Sequence, residues 1–263
     1  VNFWQSAILG LIQGLTEFLP VSSSAHLVIA PHVLGWAQPS VFFDVVLHAG
    51  TLLAAILYFR RDLAPMITKQ SRTLRDKDGR INTLWLLLLA TIPAAGLGFI
   101  FKSGLESYFD NPAAAATLLI VTGFIMTAAD LLGRQKKKME ETSPAAALLI
   151  GAFQALAILP GISRSGATIS AGMFAGLKRE DATRFAFLLS VPIIAGTAIY
   201  KTKDVIEAGG AAAQLLASLP GALVAATAGY LAIRFMLKYL AGHRLTVFAV
   251  YCWAAGGLFL LTR

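Results

Sequence analysis

A single arginine and a run of hydroxyls stand where the chain otherwise avoids polarity. Arg164 lies in Pro160-Gly161-Ile162-Ser163-Arg164-Ser165-Gly166, between two apolar segments too short to cross a membrane. An arginine at membrane depth costs at least about 2.5–3.5 kcal/mol on insertion scales. Its planar donors suit phosphate or carboxylate oxygens. Ser163, Ser165 and Gly166 open the next short helix, where hydroxyls cap free amides and exposed N–H groups attract anions. An earlier stretch answers it, running from Gln13 through Glu17, Pro20 and Ser22-Ser23-Ser24 to His26. The three serines start the helix that carries His26. Two helix N-termini aimed at one place, together with Arg164, describe a cradle for a phosphate-rich head group. The alternative is a structural ion pair between Arg164 and Glu17.

Glu17 is the matching carboxylate, with Gln13 one turn before it. The pair can hold Mg²⁺ or Ca²⁺, which favour oxygen ligands and bridge to substrate phosphates. Glu17 can equally act as a base. Ser23 and His26, three residues apart, are candidates for nucleophile and for base or acid. Asp44 and His48, one turn apart on the first full span, either support the site or hydrogen-bond between helices.

The elements that must position these residues are apolar. Of 263 residues 57% are hydrophobic and 14% charged, against roughly a quarter charged in a soluble domain; the mean hydropathy is +0.69. The spacing predicts an all-α, polytopic membrane protein forming one integral domain over 1–263. Six spans are expected at 41–59, 81–101, 113–133, 181–200, 211–237 and 245–262. Short paired segments at 3–18 with 25–33, and at 144–159 with 166–177, do not span alone. Loops are expected at 60–80, 102–112 and 201–210. Cys252 is the sole cysteine and reads as packing. No cleavable signal is expected, because Gln13 and Glu17 interrupt the first apolar run. The formal charge of +8 reflects orientation in a membrane, not nucleic acid. Gly221, Ala225 and Gly229 read as close helix packing or the contact of a homodimer.

The chain repeats itself. Gly10-Leu11-Ile12-Gln13-Gly14-Leu15 resembles Gly151-Ala152-Phe153-Gln154-Ala155-Leu156, and each is followed by Leu-Pro and serines. One repeat covers about 1–140 and the other about 141–263. If each short pair is re-entrant, the second unit is inverted relative to the first, an architecture known for membrane proteins. The basic loops at 60–80, 134–141, 178–184 and 234–244 then share one side, with seventeen Lys/Arg against four on the other. This is a strong positive-inside bias. If each pair spans instead, 178–184 and 234–244 fall on the opposite side and the bias weakens. The N-terminal pair is therefore expected to open outward.

The stretches 13–26 and 160–168 resemble the two signature motifs of the bacterial undecaprenyl-diphosphate phosphatase, or bacitracin-resistance, family, and the resemblance covers the whole chain. It implies hydrolysis of undecaprenyl diphosphate to undecaprenyl phosphate and inorganic phosphate in the bacterial inner membrane, with a divalent cation. This reaction recycles the lipid carrier of cell-wall synthesis. By the same resemblance Glu17 matches the essential acid, Arg164 the phosphate-binding arginine, Ser23 the proposed nucleophile and His26 the motif histidine. Gln13, Ser22, Ser24, Gly161, Ser163, Ser165, Gly166 and Thr168 are the expected substrate-binding residues, and Gln13 with Glu17 the metal site. Gln13 occupies the first position of the family's Glu/Gln-x-x-x-Glu pattern and removes one charge from that site. The competing class is a polyprenyl-phosphate flippase or transporter, which needs the arginine but no nucleophile or metal.

Overall fold

Helix boundaries follow from capping residues. The computed structural model describes residues 1–66, 73–75, 79–100, 111–207 and 211–262. Asn2 and Gln5 form a reciprocal capping box at the start of α1 (Phe3–Phe18). Leu19 leaves the helix in extended conformation, the geometry that a following proline favours. Ser22 caps α2 (Ser23–Leu34), which ends on a left-handed Gly35. Ser40 caps α3 (Val41–Tyr58). The short α4 (Arg60–Met66) and α5 (Thr83–Ile100) follow. Asn111 caps α6 (Pro112–Leu132), Ser143 caps α7 (Pro144–Leu156), and Ser163 caps α8 (Arg164–Phe174). In α6 and α7 a proline fills the first turn, where its missing N–H costs nothing. Three long or apolar helices complete the chain, α9 (Arg179–Glu207), α10 (Ala211–Leu240) and α11 (Thr246–Leu261).

The protein is an all-helical, polytopic membrane protein. Among the described residues five helices are long and apolar enough to cross a bilayer: Val41–Tyr58, Thr83–Ile100, Pro112–Leu132, Arg179–Tyr200 and Gln214–Leu240. The expected sixth span, α11, has 16 residues, about 24 Å of helix. Two loop expectations change. Part of the basic loop is the helix α4. The helix α9 continues through Lys201–Glu207, because no Gly or Pro stops it before Gly209. Residues 67–72 and 76–78 of the first expected loop, 102–110 of the second and 208–210 of the third lie outside the described residues.

The two sequence repeats pack across each other. α1 lies along α10, and α7 lies along α5. At the first contact, a Cβ on Gly10 would stand 2.1 Å from the Gly221 carbonyl oxygen. At the second, a Cβ on Gly151 would stand 2.4 Å from that of Ala90. Gly10 and Gly151 hold the same position in the repeated motif. The Gly221–Gly229 stripe is spent inside the molecule, since Gly221 meets Ser6 and Leu47 while Gly229 meets Phe18 and Ala54. Close packing is thus its role, and it offers no surface to a second copy.

The four basic segments meet at one end of the bundle. Arg184 pairs with Asp62. Lys137 bridges to Leu177. Asp130 accepts from Arg179 through Oδ1 (2.9 Å) and from the Thr246 N–H through Oδ2 (3.1 Å), so it also caps α11. The α7–α8 pair begins and ends at this end. At the other end, Val1, Gln5, Gln38, Ser40 and Gln214 line one shallow cavity, so the α1–α2 pair begins and ends there.

Candidate active site

The break between α1 and α2 is built from strain and caps. Ser22 has φ 68°, a left-handed conformation that costs a non-glycine residue on the order of 1–3 kcal/mol. Its Oγ accepts from the Ala25 N–H (3.3 Å) and meets Ser24 Oγ at 3.2 Å. The break between α7 and α8 also holds a positive-φ residue, but two positions earlier in the repeat, Gly161 at φ 108°. A Cβ there would stand 2.3 Å from the Ala115 carbonyl oxygen, so only glycine fits. The breaks are stitched to each other. Gly161 N–H donates to Ser24 Oγ (3.4 Å), and Ser165 Oγ donates to the Leu19 carbonyl (3.1 Å).

Glu17 is the hub. Its side chain is 5% exposed. Oε1 accepts from Arg164 Nη2 at 2.7 Å. Oε2 accepts from Ser23 Oγ at 2.6 Å and from Gln13 Nε2 at 3.0 Å. His48 Nε2 stands 3.7 Å from Oε2. Ser23 and Arg164, the first residues of α2 and α8, therefore take one carboxylate oxygen each. Among the described residues, Nη2 is the only nitrogen of the Arg164 guanidinium with a hydrogen-bond partner. Its other donors remain for a ligand. The ion pair foreseen as an alternative exists, and it coexists with this free edge.

The predicted residues divide into two sets. Ser23, Ser24, His26, Arg164 and His48 are partly exposed and can meet a ligand. Ser22, Ser163, Ser165, Gly166 and Thr168 are buried. Ser163 Oγ caps the Gly166 N–H (3.1 Å), and Thr168 Oγ1 donates to the Arg164 carbonyl (2.7 Å). Thr122, from α6, accepts from the Ser163 N–H (3.0 Å) and donates to the Gly161 carbonyl (3.0 Å). No spacing in the sequence marks Thr122, a hydroxyl inside a span.

His26 is turned away from Ser23. Its Nδ1 lies 2.7 Å from the Ser22 carbonyl oxygen and its Nε2 2.7 Å from the Tyr251 hydroxyl. Tyr251 escaped the sequence reading because it sits alone in the last apolar run. Its neighbour Cys252 donates through Sγ to the Pro20 carbonyl (3.7 Å), which is the packing role expected of it.

The oxygen donors for a divalent cation fit in part. Gln13 Oε1 is buried and has no hydrogen-bond partner, one turn from the Glu17 carboxylate. Among the described residues no three His, Cys, Asp or Glu side chains cluster to hold a metal. A hard cation here would thus complete its shell with water and phosphate oxygens, as Mg²⁺ commonly does.

Comparison with known proteins identifies the family. The family described as bacitracin resistance protein BacA matches residues 6–258. A protein of Gemmatimonas aurantiaca named undecaprenyl-diphosphatase is 43% identical over 256 residues, covering 95% of this chain and 94% of its own. Proteins of the same name from Moorella thermoacetica (42% identical; 94% and 92% covered) and Geobacter metallireducens (41%; 99% and 98%) are similarly close. On a match that spans nearly its whole length, the chain belongs to the bacitracin resistance protein BacA family.

Proposed function

We propose that this protein hydrolyses undecaprenyl diphosphate to undecaprenyl phosphate and inorganic phosphate, with Ser23 as nucleophile and Glu17 as its base. The observation that carries the roles is the 2.6 Å hydrogen bond from Ser23 Oγ to Glu17 Oε2. As Ser23 Oγ bonds to the terminal phosphorus, its proton passes to Glu17, and the bond to the bridging oxygen breaks. Glu17 gives its proton to the departing bridging oxygen, and undecaprenyl phosphate leaves. Water then attacks the phosphoserine, and Glu17 takes one proton from that water and returns it to Ser23 Oγ as the serine–phosphorus bond breaks. Arg164 binds the phosphoryl oxygens with its free donors, and the N-terminus of α2 adds oriented N–H groups. Gln13 Oε1 and a Glu17 oxygen would hold Mg²⁺ or Ca²⁺, which would neutralise charge on the diphosphate.

The pairs α1–α2 and α7–α8 are re-entrant, and the two units are inverted repeats of a single domain. The meeting of all four basic segments at one end supports this reading. By the positive-inside rule that end is cytoplasmic, so the protein lies in the bacterial inner membrane and the α1–α2 break opens to the periplasm. The activity recycles the cell-wall lipid carrier and so confers bacitracin resistance. A homodimer would use a face other than the Gly221–Gly229 stripe. The transporter alternative has no support: a carrier has no use for a serine bonded to a buried carboxylate, and the relatives bear a phosphatase name.

The test is phosphate release from a long-chain prenyl diphosphate by purified protein in detergent, with and without chelator. Release that requires cation, Glu17 and Ser23 is expected. Full activity in Ser23→Ala would overturn the serine mechanism.

A further inference from the structure

We propose that Tyr251 is a positioning residue of the active site, holding the His26 imidazole in one tautomer and one orientation. This rests on the reading of the α1–α2 break as the active site.

The Ser22 carbonyl has no hydrogen to give, so at 2.7 Å the proton of neutral His26 must lie on Nδ1. Nε2 is then an acceptor, and the Tyr251 hydroxyl at 2.7 Å donates to it. The two rings also lie nearly parallel, with an interplanar angle of 12° and centroids 5.7 Å apart. The left-handed Ser22 aims its carbonyl at the ring from one side, and Tyr251 closes the other. Both nitrogens of His26 are thus committed within the protein, and neither reaches Ser23.

The tyrosine is itself fixed. On the adjacent residue, Cys252 anchors α11 to the Pro20 carbonyl, so two successive residues of the last helix dock on the break. Tyr251 remains 44% exposed, so its hydroxyl stands at the accessible side of His26 and not in the core. A substrate phosphate that engages His26 must do so through Nε2. The Tyr251 hydroxyl decides where that nitrogen waits and whether it accepts or donates: when His26 gains a proton, the same hydroxyl accepts from it.

Tyr251→Phe keeps the ring stack and removes the hydroxyl. We expect kcat to fall about tenfold, the effect of losing one good hydrogen bond that orients a side chain beside the reacting groups, with KM nearly unchanged. In a His26→Ala background the same substitution has no further effect, because the hydroxyl then has nothing to hold. The ring nitrogens of His26 are read separately by ¹⁵N NMR of histidine-labelled protein, which has only four histidines. Wild type should show the Nδ1–H tautomer, with the Nε2 signal moving on Tyr251→Phe. An unmoved Nε2 signal overturns the proposal, as does an equal loss of kcat in both backgrounds. If His26→Ala is fully active, the role of His26 in the reaction fails, while the NMR shift still tests whether Tyr251 sets its tautomer.

Discussion

The two helix breaks share a plan and differ in what they carry. At a separation of 141 residues, Gln13 corresponds to Gln154, Ser22 to Ser163 and Ser23 to Arg164. Both glutamines are buried, and each keeps an unpartnered amide oxygen. Both serines cap the helix that follows. The first break then departs from the second at every chemical position. Glu17 faces Ile158 in this correspondence, and His26 faces Ala167. Gln13 donates to a carboxylate, whereas Gln154 donates only to the Ala90 carbonyl (3.4 Å). The first turn is made by a strained serine and the second by a glycine that nothing can replace. One break gathers a carboxylate, a serine and a histidine; the other supplies a single arginine.

The largest expected effect falls on the first break. Ser23→Ala or Glu17→Gln should lower kcat about a thousandfold or more, measured as phosphate release, while the protein still elutes as one species. A comparable loss from a change at Ile158 would break the asymmetry. Arg164→Ala comes next. It should lose about a hundredfold or more in kcat/KM. It should also destabilise by about 3 kcal/mol, because Glu17 is left as an uncompensated buried charge; thermal unfolding in detergent reads the second effect. Arg164→Lys should restore stability better than rate, since an ammonium lacks the guanidinium's planar donors.

The third prediction contrasts the turns. Gly161→Ala should cost about 2 kcal/mol or more through clash and strain at positive φ. Ser22→Gly should be nearly neutral in stability, since relief of strain offsets the lost cap. Equal destabilisation would mean that the two turns are not built differently. The smallest effects separate the glutamines. Gln13→Leu should lower activity about tenfold by freeing the Glu17 carboxylate and removing an oxygen donor. Gln154→Leu should leave activity unchanged.

Much of this was legible in the sequence, and the rest was hidden for physical reasons. Both breaks announced themselves because Leu-Pro followed by serine ends one helix and caps the next. Glu17 and Arg164 stood out because charge is costly in an apolar chain. The hydroxyls at 163–168 looked alike in sequence, yet Ser163, Ser165 and Thr168 are buried in caps and tethers, whereas Ser23 reaches the carboxylate. That division depends on which face of each helix turns inward, which the motif does not encode. Tyr251 and Thr122 come from distant helices, and only the packing of α6 and α11 on the breaks reveals them. The polarity of Lys201–Glu207 suggests a loop, yet α9 extends through it, since polar residues continue a helix where no Gly or Pro stops it.

Phosphoryl transfer to Ser23 is the defining step of the proposed mechanism. It is tested most directly by rapid quench of the enzyme with a prenyl diphosphate labelled in its terminal phosphate, followed by mass-spectrometric location of the label. Quenching in acid and in alkali preserves phosphoserine and phosphohistidine respectively. Label on Ser23 that forms and decays at rates compatible with turnover is expected. Label on His26, or no label while Ser23→Ala still turns over, would contradict it.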